Sequence, residues 1–576
     1  MVEIARATGL NPISIINALT KEGSIAFPAG VVPDQLRPWQ EETKTPQPSK
    51  KADQIRAEVR AEKQRYVRSF QFPQRGPKTT RKKVESRIVL SQAERVRIKI
   101  SKEQESDKPV GEESKDFSPK SGGIGVAKNP FPEKSEPVIK RVLEKSSYWS
   151  GERKQLITPD LLVVNQSILD QVSQLAFWEN LFLKRLIAQY RLDWVQGKRS
   201  KLTSLIEGNF AGSSLIGVLA DWCLSVPPDE SVTYFRPDLI VTRTETGETQ
   251  PILCELNIVT AGTAPAILYR EAQVEIFADL GISPATPGSL DFFFRLLGEV
   301  DQPTLAIVGP DLPLSENQLL YEKSHQDMAK ILSGYGIIAE YARIKDLLVK
   351  NSQLCLPVSG KAINFVYNRI SPFRPETEEE LTSSAGQTLL RLYQQGKIKI
   401  IPSPCLPFSD NKALEAIVWD DEFKGLVPEA LKKFIPRTNF VYPGSPICQS
   451  IITGERSWQN FVLKSARAIG GGKLVQLGIE RKREDFLAMI NRAMAEPSQW
   501  IIQEFRPPEK RSFRIRGQDG QWKSKGFFLR LEPTIAISQG EIKITDLFFT
   551  GRFDTRKVGG ANNCLMGIVG LKNDCL

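Results

Sequence analysis

Histidine is almost missing from this chain, since His325 is the one histidine among its 576 residues. A metal site built from several histidines is therefore excluded, and a Ser-His-Asp triad is not expected. The seven cysteines stand singly with no Cys-x-x-Cys pair, so neither a disulfide framework nor a thiolate zinc site is predicted. We expect a cytoplasmic protein, and oxygen ligands for any metal, which favours Mg²⁺ or Mn²⁺.

Long apolar runs are missing as well. No stretch reaches the ~18 residues that a membrane-spanning helix needs. The first ten residues, MVEIARATGL, lack the charged start and apolar run of a signal peptide, so none is expected. Hydrophobic residues make up 40% of the chain and charged residues 25%, which is typical of a globular protein. The length is too great for one core and predicts roughly two to four domains.

The basic charge is concentrated near the N-terminus. Residues 1–150 hold 29 Lys and Arg against 19 Asp and Glu, while the whole chain has a net charge of +11. Their composition predicts a basic, largely disordered tail, in which residues 51–100 would attract a polyanion or protein partner. Residues 3–23 have the apolar spacing of a short docking helix, or of the turn and second helix of a helix-turn-helix.

The remainder of the chain alternates between helical and β-rich segments. An amphipathic helix is predicted over residues 166–192, and a buried helix or strand over 213–224. A β-α-β pattern then predicts a small Rossmann-like layer. Its elements are strands at 305–310, 336–342 and 362–370, with a helix at 317–334.

Two apolar strands flank a glycine-containing turn around residue 245, a hairpin pattern. Arg236 and Asp238 are two residues apart on the first strand, and Glu255 and Asn257 are two apart on the second. Each pair therefore shares one face of its strand. Such oxygen donors suit Mg²⁺ bound to phosphates, and Arg236 suits a transferring phosphoryl group. The alternative is an exposed polar face of a hairpin.

Further along, an apolar strand ends at Lys464, and a loop with Gly470, Gly471 and Gly472 follows. Glycines allow backbone N–H groups to approach phosphate oxygens, and a lysine supplies a positive charge. The loop lacks the Walker A spacing, so a flexible hairpin turn is the alternative.

Lys412 falls in the first turn of a predicted helix that Asp410 or Asn411 would cap. The helix dipole disfavours a cation there, which an anionic ligand would relieve, although a solvated surface lysine is the alternative. Gln503 and Glu504 end a short apolar strand that could present backbone groups to an adenine edge.

In this order the motifs resemble those of the circularly permuted ATP-grasp family, which includes glutathionylspermidine synthetase and predicted carboxylate-amine ligases. The resemblance spans roughly residues 205–576. Ser465 and Asn368 stand where the family has proline and arginine. The matching segments are Arg236/Asp238, Glu255/Asn257 followed by residues 260–265, the strand 365–369, residues 410–413, Lys464 with the glycine loop, and Gln503-Glu504.

The resemblance implies an α+β, circularly permuted ATP-grasp fold with a Rossmann-like pre-ATP-grasp unit, preceded by the basic disordered region. The implied domains are 151–302 with the metal-binding hairpin, 303–402 as the Rossmann-like unit, and 403–576 as the ATP-binding lobe.

The resemblance also implies roles. Asp238, Glu255 and Asn257 would hold Mg²⁺. Lys412, Lys464 and residues 470–472 would bind ATP phosphates, Gln503 and Glu504 would line the adenine pocket, and Arg236 would stabilise the acyl-phosphate stage. The implied activity is ATP-dependent ligation of a carboxylate to an amine. The alternatives are a non-catalytic nucleotide- or peptide-binding relative, and a polyanion-associated protein acting through its tail.

Overall fold

The computed structural model describes most of the chain between residues 123 and 571. The described stretches are 123–130, 132–145, 156, 158–208, 213–227, 230–257, 263–297, 302–309, 316–368, 376–405, 411–466, 475–496, 500–516, 520–538, 540–556 and 564–571. Several predictions lie outside them, namely those for residues 3–23, 51–100, Asp410 and Gly470 to Gly472. The side chain of Asn257 is also not described.

The helices follow one another along the chain with strands between them. They are α1 Pro132–Lys145, α2 Gln166–Val195, α3 Lys201–Glu207, α4 Ser213–Ser225, α5 Thr263–Asp279, α6 Ser289–Leu297, α7 Glu316–Gly334, α8 Glu376–Thr382, α9 Ser384–Gln394, α10 Ala413–Ile417, α11 Pro446–Thr453 and α12 Arg483–Ala495. The strands are β1 Ile124–Ala127, β2 Leu161–Val164, β3 Tyr234–Arg243, β4 Thr249–Asn257, β5 Ser283–Pro284, β6 Thr304–Val308, β7 Ile338–Ala342, β8 Leu348–Lys350, β9 Gln353–Cys355, β10 Phe365–Asn368, β11 Lys399–Ile401, β12 Thr438–Phe440, β13 Phe461–Ser465, β14 Val475–Leu477, β15 Trp500–Glu504, β16 Lys510–Arg516, β17 Trp522–Ser538, β18 Glu541–Arg552 and β19 Leu565–Leu571.

The largest sheet has the strand order β1-β2-β19-β18-β17-β3-β4, with β16 paired to β17 and β5 to β19. Its first strand comes from the region predicted to be a tail. Ile124 lies opposite Val164 in an antiparallel pair, and α1 follows directly. Residues 124–145, which the sequence assigned to the tail, therefore contain β1 and α1. The four-residue strand β1 is hard to recognise in the sequence because charged segments surround it.

A four-stranded parallel sheet has the order β11-β10-β6-β7. Helix α7 connects β6 to β7, so the strands and the helix of the predicted β-α-β pattern lie where the sequence placed them. A third sheet is antiparallel, in the order β12-β15-β13-β14. One face of the third sheet packs on α11 and α12 through apolar side chains that include Leu463, Ile502 and Phe486.

The long helix α2 lies under the large sheet. Asn165 caps it, because its side chain accepts a hydrogen bond from the backbone N–H of Ile168 at 3.2 Å. Apolar residues recur at helical spacing, and Ile168, Val172 and Leu175 are buried. In the described stretches no helix is both long and apolar enough to cross a membrane.

Candidate functional site

The predicted hairpin is formed by β3 and β4, which pair in antiparallel register with Asp238 opposite Glu255. Arg236 lies opposite Asn257. Since residues directly opposite one another point to the same face, Arg236, Asp238 and Glu255 share one face of the sheet. The register shifts next to Asp238, so Cys254 is an extra residue in β4.

An arginine cluster surrounds Asp238; we use this name for Arg236, Asp238, Arg530, Glu532 and Thr550. Arg530 of β17 lies 2.6 Å from Asp238 Oδ2 through Nη1, and its other nitrogens contact Glu532. Arg236 lies 3.4 Å from Asp238 Oδ1 and 3.2 Å from Glu532 Oε2. Thr550 donates to Glu532 Oε1 at 2.8 Å. Two guanidinium groups thus neutralise two buried carboxylates.

The two carboxylates of this cluster titrate differently. Burial raises the pKa of Asp238 to about 6, although Arg530 and Arg236 oppose the rise. Burial acts in the same direction on Glu532, but Arg530 and Arg236 outweigh it and hold the pKa of Glu532 at about 2. Arg530 donates to Glu532 through two nitrogens, Nε and Nη2. Glu532 therefore keeps its negative charge to a lower pH than Asp238 does.

A lysine cluster lies beside the arginine cluster; it comprises Glu255, Lys412, Glu415, Lys464 and Gln503. Lys412 Nζ lies 2.7 Å from Glu255 Oε1, and Lys464 Nζ lies 2.8 Å from Glu415 Oε2. Gln503 donates to the same Glu415 oxygen at 2.6 Å and to Thr438 Oγ1 at 2.9 Å. These five side chains come from four segments that are far apart in sequence.

Burial and local charge act against each other on the pKa of each acid in the lysine cluster. Burial would raise the pKa of Glu255, but Lys412 outweighs it and lowers the value. For Glu415 burial prevails, and its pKa is raised in spite of Lys464. Glu415 is 3% exposed, whereas the Glu255 side chain is 30% exposed. The two lysines therefore hold one open and one buried carboxylate.

Strand alternation aims Lys464 and Gln503 at this cluster. Lys464 lies opposite Ile501 in the pairing of β13 with β15, and Gln503 is two residues further along β15. Both side chains thus project from the face of the third sheet opposite its helices. Lys464 also donates to the backbone carbonyl of Cys254 at 2.8 Å. Cys254 is the bulge residue of β4, and a bulge leaves its extra residue unpaired in the strand ladder, which frees this carbonyl.

Lys412 directly precedes the short helix α10. Asn411, one of the two predicted capping residues, accepts from the backbone N–H of Ala413 at 2.8 Å and donates to the carbonyl of Leu205 at 3.1 Å. These bonds tie the segment to α3. They leave the lysine to reach across to Glu255 rather than into solvent.

Glu504 is the predicted site residue that the fold separates from the others. It follows Gln503 on a strand, so its side chain points to the opposite face, where Arg506 lies 3.3 Å away. There it borders a surface cleft together with Arg456 and Phe505. Its backbone N–H donates to the carbonyl of Arg437 at 2.9 Å.

The predicted metal ligands have suitable donor atoms, but positively charged side chains contact two of them, Asp238 and Glu255. Among the described residues, no three His, Cys, Asp or Glu side chains form a group that could hold a metal ion. Asp238 Oδ1 is nevertheless buried with no hydrogen bond to any described residue. Carboxylate oxygens are the donors that Mg²⁺ prefers. Asp238 and Glu255 therefore supply donor atoms that would suit Mg²⁺, although Arg530 and Lys412 contact them in this structure.

Three charged residues of the two clusters were missed in the sequence. Arg530 and Glu532 interrupt the apolar stretch FFLRLEPTIA of β17, and Glu415 lies three residues after Lys412. Charged residues two apart inside an apolar strand were the available signal, because such side chains are buried only with partners.

No protein-family model matches the chain, and no protein of curated function does either. Among solved structures, a glutathione synthetase-like effector from Globodera pallida has a TM-score of 0.49 at 11% identity, over 77% of this chain and 97% of that chain. D-alanyl-alanine synthetase A from Vibrio cholerae has a TM-score of 0.26 at 11% identity, over 47% and 88%. D-cycloserine synthetase has 0.22 at 14%, over 42% and 90%.

Proposed function

We propose that this chain is an ATP-dependent ligase that joins a carboxylate to an amine through an acyl phosphate. The observation that carries the proposal is a pair of neighbouring ion pairs. Lys412 Nζ lies 2.7 Å from Glu255, and Lys464 Nζ lies 2.8 Å from Glu415. Polyphosphates are bound by such point charges. In the proposed complex the nucleotide phosphates would replace Glu255 and Glu415 as partners of the two ammonium groups.

The proposed fold is the circularly permuted ATP-grasp arrangement. The parallel sheet β11-β10-β6-β7 supports a Rossmann-like unit over residues 303–402. The hairpin β3–β4 would supply the acidic side within 151–302. The third sheet, within 403–576, would supply the lysine side with the glycine loop 470–472. Gln503 and the main chain of Glu504 would border the base.

Magnesium would be held by Asp238, Glu255 and Asn257, where it would neutralise phosphate charge. Arg236 would stabilise negative charge on the phosphoryl group during transfer. Glu532 contacts Arg236, and Arg530 contacts Asp238. Arg530 and Glu532 would therefore act as positioning residues for the other two.

The chemistry needs positioned cations rather than a histidine base. A carboxylate does not react with an amine at neutral pH, because oxide is a poor leaving group. Transfer of the γ-phosphoryl group to the carboxylate oxygen gives an acyl phosphate. The amine then attacks its carbonyl carbon and phosphate leaves. Positive charge, orientation and exclusion of water account for most of the catalysis in this scheme.

The test is calorimetric titration of Mg-ATP into the full chain, since a truncation at residue 151 would remove β1 from the large sheet. We expect saturable, magnesium-dependent binding that weakens at least ~10-fold in Lys464→Ala. Lys345→Ala is the control, because Lys345 pairs with the exposed Glu379. A folded wild-type protein that binds no ATP would refute the proposal. Binding without product from any carboxylate–amine pair would favour the non-catalytic relative.

A further inference from the structure

A small cavity lies behind the lysine cluster, next to an acid that the proposed reaction does not use. Glu179 of α2 is 2% exposed, and neither of its carboxyl oxygens has a hydrogen-bond partner among the described residues. The cavity has a volume of about 20 Å³ and is lined by Glu179, Glu415, Asn411 and apolar side chains such as Phe182 and Leu253.

Glu415 lines the same cavity, and only one of its two carboxyl oxygens accepts hydrogen bonds from described residues. Its Oε2 receives Lys464 and Gln503, whereas its Oε1 has no hydrogen bond to a described residue. Both polar ends of Asn411 are already used by Ala413 and Leu205. Three carboxyl oxygens of these two cavity-lining acids therefore have no hydrogen-bond partner among the described residues.

Two ionised carboxylates would repel each other strongly across this cavity. Glu415 has Lys464 to compensate its charge, while the lysines of the segment 429–434 that packs against α2 are engaged elsewhere. Lys433 bonds to Gln174, and Lys432 pairs with Glu429. Glu179 is therefore the group of the pair that takes up a proton. The cavity also exceeds the roughly 10–15 Å³ that one water molecule needs.

We propose that Glu179 is a neutral carboxylic acid that hydrogen-bonds to Glu415 through one water molecule in this cavity, and that it thereby keeps Glu415 in position to hold Lys464. Burial, reinforced by the charge of Glu415, raises the pKa of Glu179 to about 8, in agreement with this state. Glu179 is then a positioning residue, and its effect on ATP rests on the proposed role of Lys464.

Infrared spectroscopy of the full chain at pH 7 tests the proton directly, without any nucleotide. We expect the carbonyl stretching band of a buried, protonated carboxylic acid in the wild type. The band disappears in Glu179→Gln and in Glu179→Met, either of which suffices if the other does not fold. It persists in the control Glu207→Gln, since Glu207 is buried but pairs with Arg199. A missing wild-type band, or one that survives both substitutions, overturns the proposal.

Mg-ATP titration of the same variants tests the positioning role. Glutamine can still donate to the water, so Glu179→Gln keeps the dissociation constant within about twofold, whereas Glu179→Met weakens binding about 10-fold. Equal affinity in both variants overturns the positioning role. A wild type that binds no ATP refutes the ligase function instead, and the infrared band still decides the state of the carboxyl pair.

Discussion

The arginine cluster and the lysine cluster lie side by side on the β3–β4 hairpin, yet they are built differently. In the arginine cluster Arg530 contacts two carboxylates at once, and Asp238, Arg530 and Glu532 are all less than a tenth exposed. In the lysine cluster each ammonium pairs with one carboxylate, and Glu255 is partly open. A guanidinium fork fixes its partners, whereas an ammonium exchanges them readily. We therefore expect the arginine cluster to hold its residues in place, and the ammonium groups of the lysine cluster to exchange their partners for a ligand.

Removal of Arg530 should have the largest effect. Arg530→Ala leaves Asp238 and Glu532 buried with one guanidinium between them, and loss of one partner of a buried pair costs about 3–5 kcal/mol. Urea unfolding measures this loss. Arg492→Ala is the control, because the 77% exposed Arg492 side chain pairs loosely with Glu496 and should change stability by less than about 0.5 kcal/mol. A small loss for Arg530→Ala would contradict the expected role of the arginine cluster.

The two lysines should separate binding from stability. Lys464 is buried against Glu415, so Lys464→Ala should lower the free energy of unfolding by about 3 kcal/mol as well as weaken Mg-ATP binding. Lys412→Ala should weaken binding while it lowers stability by only about 1 kcal/mol, because Glu255 can turn to solvent. Paired urea unfolding and calorimetry measure both quantities. Equal stability losses would mean that the two lysines have the same structural role.

Glu532 should make stability depend on pH. Its folded pKa of about 2 lies below the ordinary 4.5, so its contribution is complete above pH 4.5 and is lost as the pH falls towards 2. The stability advantage of the wild type over Glu532→Gln should therefore grow by about 2 kcal/mol between pH 3 and pH 6. Urea unfolding across this range measures the slope. The exposed Glu541, exchanged for Gln, should show a flat difference.

The smallest effect should distinguish the two faces of β15. Gln503→Ala removes the hydrogen bonds to Glu415 and Thr438 and should cost about 1–2 kcal/mol of stability, together with some affinity for Mg-ATP. Glu504→Ala breaks a partly exposed pair with Arg506 and should cost less than about 0.5 kcal/mol. The same measurements apply. A strong loss of ATP affinity in Glu504→Ala would restore its predicted place beside the base.

Local patterns in the sequence predicted the strands that carry the candidate residues. Strand alternation put Arg236 with Asp238, and the turn around Gly247 joined their strand to that of Glu255. The same alternation separates Gln503 from Glu504, which the motif alone had grouped together. Cys254 was out of reach, because a register shift depends on how two paired strands fit rather than on either one.

The sequence by itself determined the hairpin, the parallel β-α-β unit, the lysine at the end of β13 and the helical period of α2, since each depends on neighbours within a few residues. Only the tertiary structure decided which acid meets which base. Arg530 lies 292 residues from Asp238, and Lys412 lies 157 residues from Glu255. Burial set the pKa of Glu179, which a sequence shows only as one more polar residue on a helix. These properties follow from long-range packing and desolvation, which no local pattern records.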